Sequence, residues 1–283
     1  MKTFKNFNLT EYNSYRLNAF CNYAFFPETE QDVLDIFKSK KKFVLIGNGN
    51  NIILSKEHYD KEFVIFNGNF NKISIDSNVI IAESGATTLN LSKYAEKCSL
   101  TGAEFFYDIP SSIGGAVVMN AGTKEGKTQK ILKKVRYLDL KDNKIKERFS
   151  DDLQLDYRNS MFQKEKDKII LKAWFKLNFG DRSEIRQMMD ESKTRRWSKQ
   201  PREFPNCGSV FKRPPGRFVG PMLDELGLKG LTVGGAQVSH KHSGFIVNFK
   251  NASGSDILEL IQIIQFKVKD CFGINLEVEQ RII

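Results

Sequence analysis

Short apolar runs bounded by turn residues set the rhythm of the first two-thirds of the chain: FVLI at 43–46, NIIL at 51–54, EFVIF at 62–66, NVIIA at 78–82 and IILKAWFKL at 169–177. Runs this short and this rich in Val, Ile and Phe predict β-strands. Between positions 135 and 149 apolar and polar residues alternate on either side of Asp142-Asn143, which predicts a hairpin. Helices punctuate the strands. Thr29 followed by Glu30 and Asp32 starts one that carries Val33, Leu34 and Phe37 on one side, and a second spans about 88–98.

Around 180–202 the character changes to a charged helical stretch followed by the loop-like QPREFPNCGS, which marks a candidate domain boundary. A short helix over 221–226 ending at Gly227, a strand over 244–249 and a helix over 255–272 stopped by Gly273 are expected beyond it. Ile257, Leu258, Ile261, Ile264, Val268 and Cys271 recur there at helical spacing, the pattern of a face turned to a core. The last third therefore reads as a separate α+β unit. No repeat of 20–50 residues interrupts this picture.

Composition narrows the class. The 283 residues are 40% hydrophobic and 28% charged, enough apolar material for a substantial core and too much for disorder. No run approaches the ~20 apolar residues of a bilayer span, and the first twenty residues lack a signal-peptide core, so a cytoplasmic location with no membrane partner is expected. The four cysteines lie far apart without metal-ligand spacing; free thiols and no metal site are expected. Lys and Arg (44) exceed Asp and Glu (34), giving a formal charge of +10. Eight basic residues and one acid fall within 193–217, so much of the excess is local. A basic face for nucleic acid, a solvated surface and a site for a phosphorylated ligand all fit that balance. The stretch contains no recognisable nucleic-acid docking module, which argues against the first.

Two glycine-rich loops offer chemistry. The first, Gly47-Asn48-Gly49-Asn50-Asn51, separates two predicted strands. Its sixth residue is Ile52, so it is not a dinucleotide GxGxxG fingerprint; its glycines would instead let backbone N–H groups converge on an anion, or simply close a hairpin. The second runs Ile109-Pro110-Ser111-Ser112-Ile113-Gly114-Gly115 and on to Asn120 and Gly122. Here paired glycines allow a close backbone approach, and hydroxyl and amide groups stand beside exposed N–H groups. Two such cradles in one mixed domain suit a long dinucleotide held at its ends and middle.

With GNGNNIIL, IPSSIGGAVVMNAG, YRNSMF, NCGSVFKRP, KHSGFIVN and LEVEQRII in that order, the chain from Asn13 onward resembles the UDP-N-acetylenolpyruvoylglucosamine reductase family. The resemblance implies an α+β fold: a vanillyl-alcohol oxidase-like FAD-binding domain over 1–182, with subdomains of about 1–70 and 71–182, and a C-terminal substrate-binding domain over 183–283. It implies noncovalent FAD, NADPH as electron donor and a UDP-sugar substrate, with no obligatory protein partner. The expected cofactor contacts are Gly47, Asn48, Gly49, Asn50, Asn51 and Ile52 in the first loop, and Pro110, Ser111, Ser112, Gly114, Gly115, Asn120 and Gly122 in the second.

The family reaction passes a hydride to a vinyl ether and a proton to the adjacent carbon. By match to the family segments, Ser209 is the proton donor, Arg158 polarises the enolpyruvyl carboxylate, and Glu279 stabilises the enol-type intermediate. Glu277, two residues away, is the competing carboxylate. Tyr157, Lys212 and Arg213 are expected at the substrate, whereas His242 carries no proton-transfer role. Ser111, Asn18-Ala19 and Gln280 depart from the family's usual residues, and the short span from Trp174 to Ser209 resembles the type without an extra substrate-capping loop. An oxygen-using flavin oxidase and a basic nucleic-acid-binding protein are the alternatives.

Overall fold

The computed structural model describes residues 1–39 and 42–283. Its chain opens with β1 (Lys2–Asn8), β2 (Phe20–Phe26), α1 (Glu30–Lys38), β3 (Phe43–Ile46), β4 (Ile52–Ile53), β5 (His58–Ile65), β6 (Ile73–Asp76) and β7 (Val79–Glu83). It continues through α2 (Thr88–Lys97), β8 (Leu100–Thr101), α3 (Ile113–Val118), α4 (Thr128–Ile131), β9 (Leu132–Asp139), β10 (Lys144–Phe149), α5 (Met161–Lys164), β11 (Lys168–Lys176) and β12 (Asn178–Phe179). The remainder is α6 (Arg182–Lys199), α7 (Val219–Glu225), β13 (Thr232–Val233), β14 (Ala236–Val238), β15 (Ile246–Asn248), α8 (Gly254–Phe272) and β16 (Arg281–Ile282). Two compact units result. One comprises Met1–Thr3, Phe25–Asn48 and Phe63–Arg196, the other Phe4–Ala24, Gly49–Glu62 and Trp197–Ile283.

The predicted hairpin forms, with β9 and β10 antiparallel and Asn143 at positive φ in the turn. It enters a five-stranded sheet ordered β10-β9-β11-β7-β6. Both faces of this sheet are covered, which explains why β11 reads as a nearly continuous apolar run rather than an alternating one. Ile169 and Leu171 pack with Val33, Ile36 and Phe37 of α1, while Ile170, Ala173 and Phe175 join the core of α2 and α3. That set changes parity because a register shift falls between Ile170 and Lys172; an extra residue in one strand turns the following side chains to the other face. Thr29 and Asp32 cap α1 reciprocally, as its sequence predicts.

At the end of the same sheet, Asp139 faces Lys168 across β9 and β11. Asp139 is 5% exposed; Lys146 Nζ lies 2.8 Å and Lys168 Nζ 3.4 Å from its Oδ2. The Lys146 contact, backed by the Lys141 N–H and the Lys168 charge, holds the Asp139 carboxyl at about 2. A carboxyl whose folded value lies below its unfolded ~3.9 stabilises the fold above pH ~4 and loses that contribution as pH falls toward 2. Asp139→Asn is therefore expected to cost about 2 kcal/mol at pH 7, with the deficit shrinking between pH ~4 and ~2. Chemical denaturation at pH 7 and pH 3 checks this; a penalty independent of pH would contradict it.

In the second unit α8 packs on β13 and β14, which with β15 form an antiparallel sheet ordered β13-β14-β15. Ser253 and Asp256 cap α8, and Gly273 ends it in the left-handed conformation. Its buried face is Ile257, Leu260, Ile261, Ile264 and Val268. Leu260 takes the core place expected for Leu258, and Cys271, in the last turn of the helix, is exposed. All four cysteines are free, and no described helix is long and apolar enough to cross a membrane.

Candidate functional site

The first glycine loop does not close a hairpin. β3 belongs to the four-stranded sheet ordered β1-β2-β5-β3, whereas β4 pairs in parallel with β16, Ile52 opposite Arg281. The chain from Gly47 to Asn51 is thus free to serve something other than a turn. Within the first unit Gly47 abuts the second glycine loop so closely that a Cβ on it would lie 2.2 Å from Ser112 Oγ. Ser112 caps α3 by accepting from the Gly115 N–H at 3.2 Å.

The second loop is bound to residues 84–88, of which only Thr88, at the start of a predicted helix, stands out in the sequence pattern. Gly114 N–H donates to the Ser84 carbonyl (2.9 Å), Ile113 N–H to that of Ala86 (2.8 Å), and Thr88 N–H to that of Ser111 (2.9 Å). A Cβ on Gly114 would stand 3.1 Å from that of Ser84. The missed signal is the small-residue run Ser84-Gly85-Ala86-Thr87 directly after β7, a second backbone-approach segment. Ser111 fits its position by turning its hydroxyl back onto the Ser112 carbonyl (2.9 Å).

A flavin fits these loops on two counts. A side chain would fill the Gly47 and Gly114 positions, and two buried polar atoms, Asn48 Oδ1 and Ser84 Oγ, have no hydrogen-bond partner among the described residues. Buried polar atoms in folded proteins nearly always have partners, so two unmet ones beside glycine cradles mark a place for a polar ligand. Asn120 behaves differently. Its amide donates to the Asp156 carbonyl (2.9 Å) and accepts from the Gln129 N–H (2.9 Å), tying its loop to α4 and to the Asp156 turn.

Asp156 to Asn159 form a tight turn closed by reciprocal backbone hydrogen bonds of 3.1 Å. Arg158 occupies that turn at φ +50, a conformation uncommon for a side chain of its size. Its Nη2 donates to the Gly122 carbonyl at 3.2 Å, and its guanidinium lies over the Tyr157 ring, which is itself exposed. The Arg158 carbonyl is held by Gln163 Nε2 at 2.7 Å. The structure therefore brings Arg158, Tyr157, Asn120 and Gly122 together in the first unit.

In the second unit Ser209 follows Gly208, whose φ of +79 suits glycine alone. The 209–212 segment lies extended between two others. Ser209 bridges Phe245 on one side, and Phe211 bridges Val278 on the other. Glu279 N–H donates to the Val210 carbonyl (2.8 Å) and Lys212 N–H to that of Glu277 (2.9 Å), so Glu279 is tied to the residue that follows Ser209. The rival carboxylate, Glu277, is exposed and engaged by Lys212 Nζ at 2.5 Å. Asn51 Nδ2 donates to the Glu279 carbonyl at 3.3 Å, which joins the end of the first glycine loop to the Glu279 strand. Asn50 accepts from the Ser14 hydroxyl, and a Cβ on Gly49 would collide with the Tyr12 carbonyl at 2.0 Å.

The basic stretch is already in use at several points. Arg195 pairs with Glu125 (3.0 Å) and Arg196 with Asp108 (2.9 Å) in the first unit; Arg213 lies 4.2 Å over Phe218 and Arg217 5.0 Å over Phe272 in the second. His242 is half-buried and accepts at Nδ1 from the Gly244 N–H (3.1 Å); burial lowers its pKa, so it sits neutral against Phe245.

Glycine cradles with unmet polar atoms at the ends of β3 and β7, on an α+β scaffold, fit the class of flavin-binding proteins. A model of an FAD-binding domain matches residues 22–147, and one of the UDP-N-acetylenolpyruvoylglucosamine reductase C-terminal domain matches 200–283. The UDP-N-acetylenolpyruvoylglucosamine reductase of Francisella tularensis is 41% identical over 98% of each chain, and that of Geobacillus thermodenitrificans 39% identical over 95% of this chain and 88% of its own. The crystal structure of UDP-N-acetylenolpyruvylglucosamine reductase from Thermus caldophilus matches with a TM-score of 0.85 at 28% identity, covering 99% of this chain and 98% of that one. The chain belongs to the UDP-N-acetylenolpyruvoylglucosamine reductase family.

Proposed function

We propose that this chain reduces UDP-N-acetylglucosamine enolpyruvate to UDP-N-acetylmuramate for peptidoglycan synthesis, with NADPH as electron donor and FAD bound noncovalently. The observation that carries the reading is the 41% identity sustained over 98% of both chains, which spans the glycine loops and the Ser209 segment alike. The 47–52 and 110–122 loops would hold FAD, with Asn48 Oδ1 and Ser84 Oγ as the polar atoms that gain partners. FAD, when bound, supplies the two-electron carrier between NADPH and the substrate.

The protein's own groups do the rest. Ser209 supplies the proton to the carbon beside the one that receives hydride. Arg158 suits the enolpyruvyl carboxylate because a guanidinium stays charged and binds a carboxylate through two parallel hydrogen bonds. Glu279 steadies the enol-type intermediate, while Glu277 is occupied by Lys212. Tyr157, Lys212 and Arg213 contact the sugar nucleotide. The flavin-binding part spans 1–182 and the substrate-binding part 183–283. We place the enzyme in the cytoplasm, acting on small molecules without nucleic-acid, membrane or obligatory protein partners.

The absorption spectrum tests the reading. A purified sample, loaded with FAD if necessary, is expected to show flavin bands that NADPH bleaches anaerobically and UDP-N-acetylglucosamine enolpyruvate restores. Protein that cannot be loaded with FAD, or whose NADPH-reduced flavin the enolpyruvyl substrate fails to reoxidise anaerobically, would refute it.

A further inference from the structure

Tyr15 and Gln280 form a buried polar pair that the roles above leave unused. Tyr15 is fully buried and Gln280 is 4% exposed. The Tyr15 hydroxyl donates to Gln280 Oε1 at 3.0 Å. At the other end of the same amide, Nε2 faces three consecutive backbone carbonyls, those of Cys207 at 3.2 Å, Gly208 at 3.3 Å and Ser209 at 3.4 Å. Successive carbonyls point toward one spot only where the backbone departs from a regular strand, and Gly208 at φ +79 provides that departure.

The chemistry of the pair leaves little latitude. The amide orientation is fixed from both ends, since a hydroxyl donor requires an acceptor and three carbonyls require a donor. An apolar side chain at 280 would leave the tyrosine hydroxyl and the carbonyls without that partner, and a carboxylate would set negative charge against three carbonyl oxygens. The backbone of the same strand meets the same segment, through the Glu279 N–H on the Val210 carbonyl at 2.8 Å. The segment is therefore gripped at Gly208–Val210 by adjacent residues, one through its side chain and one through its main chain.

We propose that Gln280, backed by Tyr15, is a positioning residue that gathers the carbonyls of Cys207, Gly208 and Ser209 and so fixes the turn from which Ser209 delivers its proton. This rests on the reading of Ser209 given above, and the test separates the two. Gln280→Met keeps length and removes the amide; Tyr15→Phe keeps the ring and removes the backing hydroxyl.

In the FAD-loaded protein, amide hydrogen exchange over residues 206–211 is expected to quicken roughly tenfold in Gln280→Met and less in Tyr15→Phe, with exchange in α8 unchanged. In the same variants NADPH-driven flavin reduction stays within about twofold, while reoxidation by substrate slows roughly tenfold and its solvent deuterium isotope effect rises. Adding Gln280→Met to Ser209→Ala is expected to slow reoxidation no further, because two residues serving one step are not additive. Wild-type exchange and reoxidation in Gln280→Met overturn the proposal, as does equal loss in both half-reactions, which marks a structural role. If Gln280→Met does not fold, Tyr15→Phe decides by the same readouts. Should Ser209→Ala itself reoxidise normally, the Ser209 reading fails and the proposal with it, whereas normal Gln280→Met beside a slow Ser209→Ala removes the positioning role alone.

Discussion

Ser209→Ala is expected to slow reoxidation of the reduced enzyme by substrate about a thousandfold and to leave NADPH-driven flavin reduction within about twofold, the range a positioned general acid supplies being ~100- to 10,000-fold. A serine hydroxyl is a weak acid in water, so the effect depends on placement rather than on intrinsic acidity. The backbone that carries Ser209 is well tied. Ser209 is exposed, yet its backbone is held by the bridge to Phe245, by Gln280 and by the neighbouring Val210–Glu279 hydrogen bond. Removing one exposed hydroxyl leaves those ties intact, and a change in stability within ~0.5 kcal/mol is expected. Stopped-flow measurement of each half-reaction separates the possibilities. Equal slowing in both would move Ser209 from proton delivery to flavin binding or folding, and no slowing in either would leave the proton to another group.

Glu279 sharpens this test. Its N–H is anchored to the Ser209 segment and its carbonyl to Asn51, so the strand bearing it is fixed on both sides while Glu277 stands exposed and paired with Lys212. Spacing alone leaves Glu277 and Glu279 equivalent, because residues two apart on a strand share a face. The pairing of Glu277 with Lys212 is long-range, and no local pattern announces it.

The same division between local and long-range information runs through the fold. The capping box of α1, the Asp142-Asn143 hairpin and the Gly273 stop were legible because each is written within a few residues. The parity change in β11 was not. It arises from a bulge against β9, a strand 30 or so residues away, and a two-faced apolar strand carries no alternation that would expose it. The parallel pairing of β4 with β16 lay equally out of reach, since two-residue strands so far apart in the chain leave no periodic trace. At the site, residue types were readable from the family-like segments. Their ties were not: Asn120 is bonded to the Asp156 carbonyl and the Gln129 N–H, the Gln280 amide faces three carbonyls, and the Ser84-Gly85-Ala86-Thr87 segment lies against the second glycine loop.

The closeness of Gly47 to Ser112 yields the second large effect. A methyl at position 47 would sit 2.2 Å from Ser112 Oγ and 3.2 Å from its Cβ, so Gly47→Ala must displace the hydroxyl that caps Gly115 or push the two loops apart. Overpacking of this kind costs about 1–3 kcal/mol. If the cost falls on the geometry that receives flavin, the dissociation constant for FAD rises about five- to 150-fold, and Gly47→Val, with two further carbons, is expected to purify without flavin. Ser112→Ala alone should cost about 1 kcal/mol in stability through the lost cap. In the double variant the colliding oxygen is gone, leaving a 3.2 Å contact that a shift of a few tenths of an ångström relieves. Gly47→Ala with Ser112→Ala is therefore expected to bind FAD more tightly than Gly47→Ala alone, a coupling of the kind that neighbouring residues show. Flavin titration by fluorescence quenching measures all three. Unchanged affinity in Gly47→Ala would remove the first glycine loop from the cofactor cradle, and purely additive losses would show that position 47 acts through something other than its contact with Ser112.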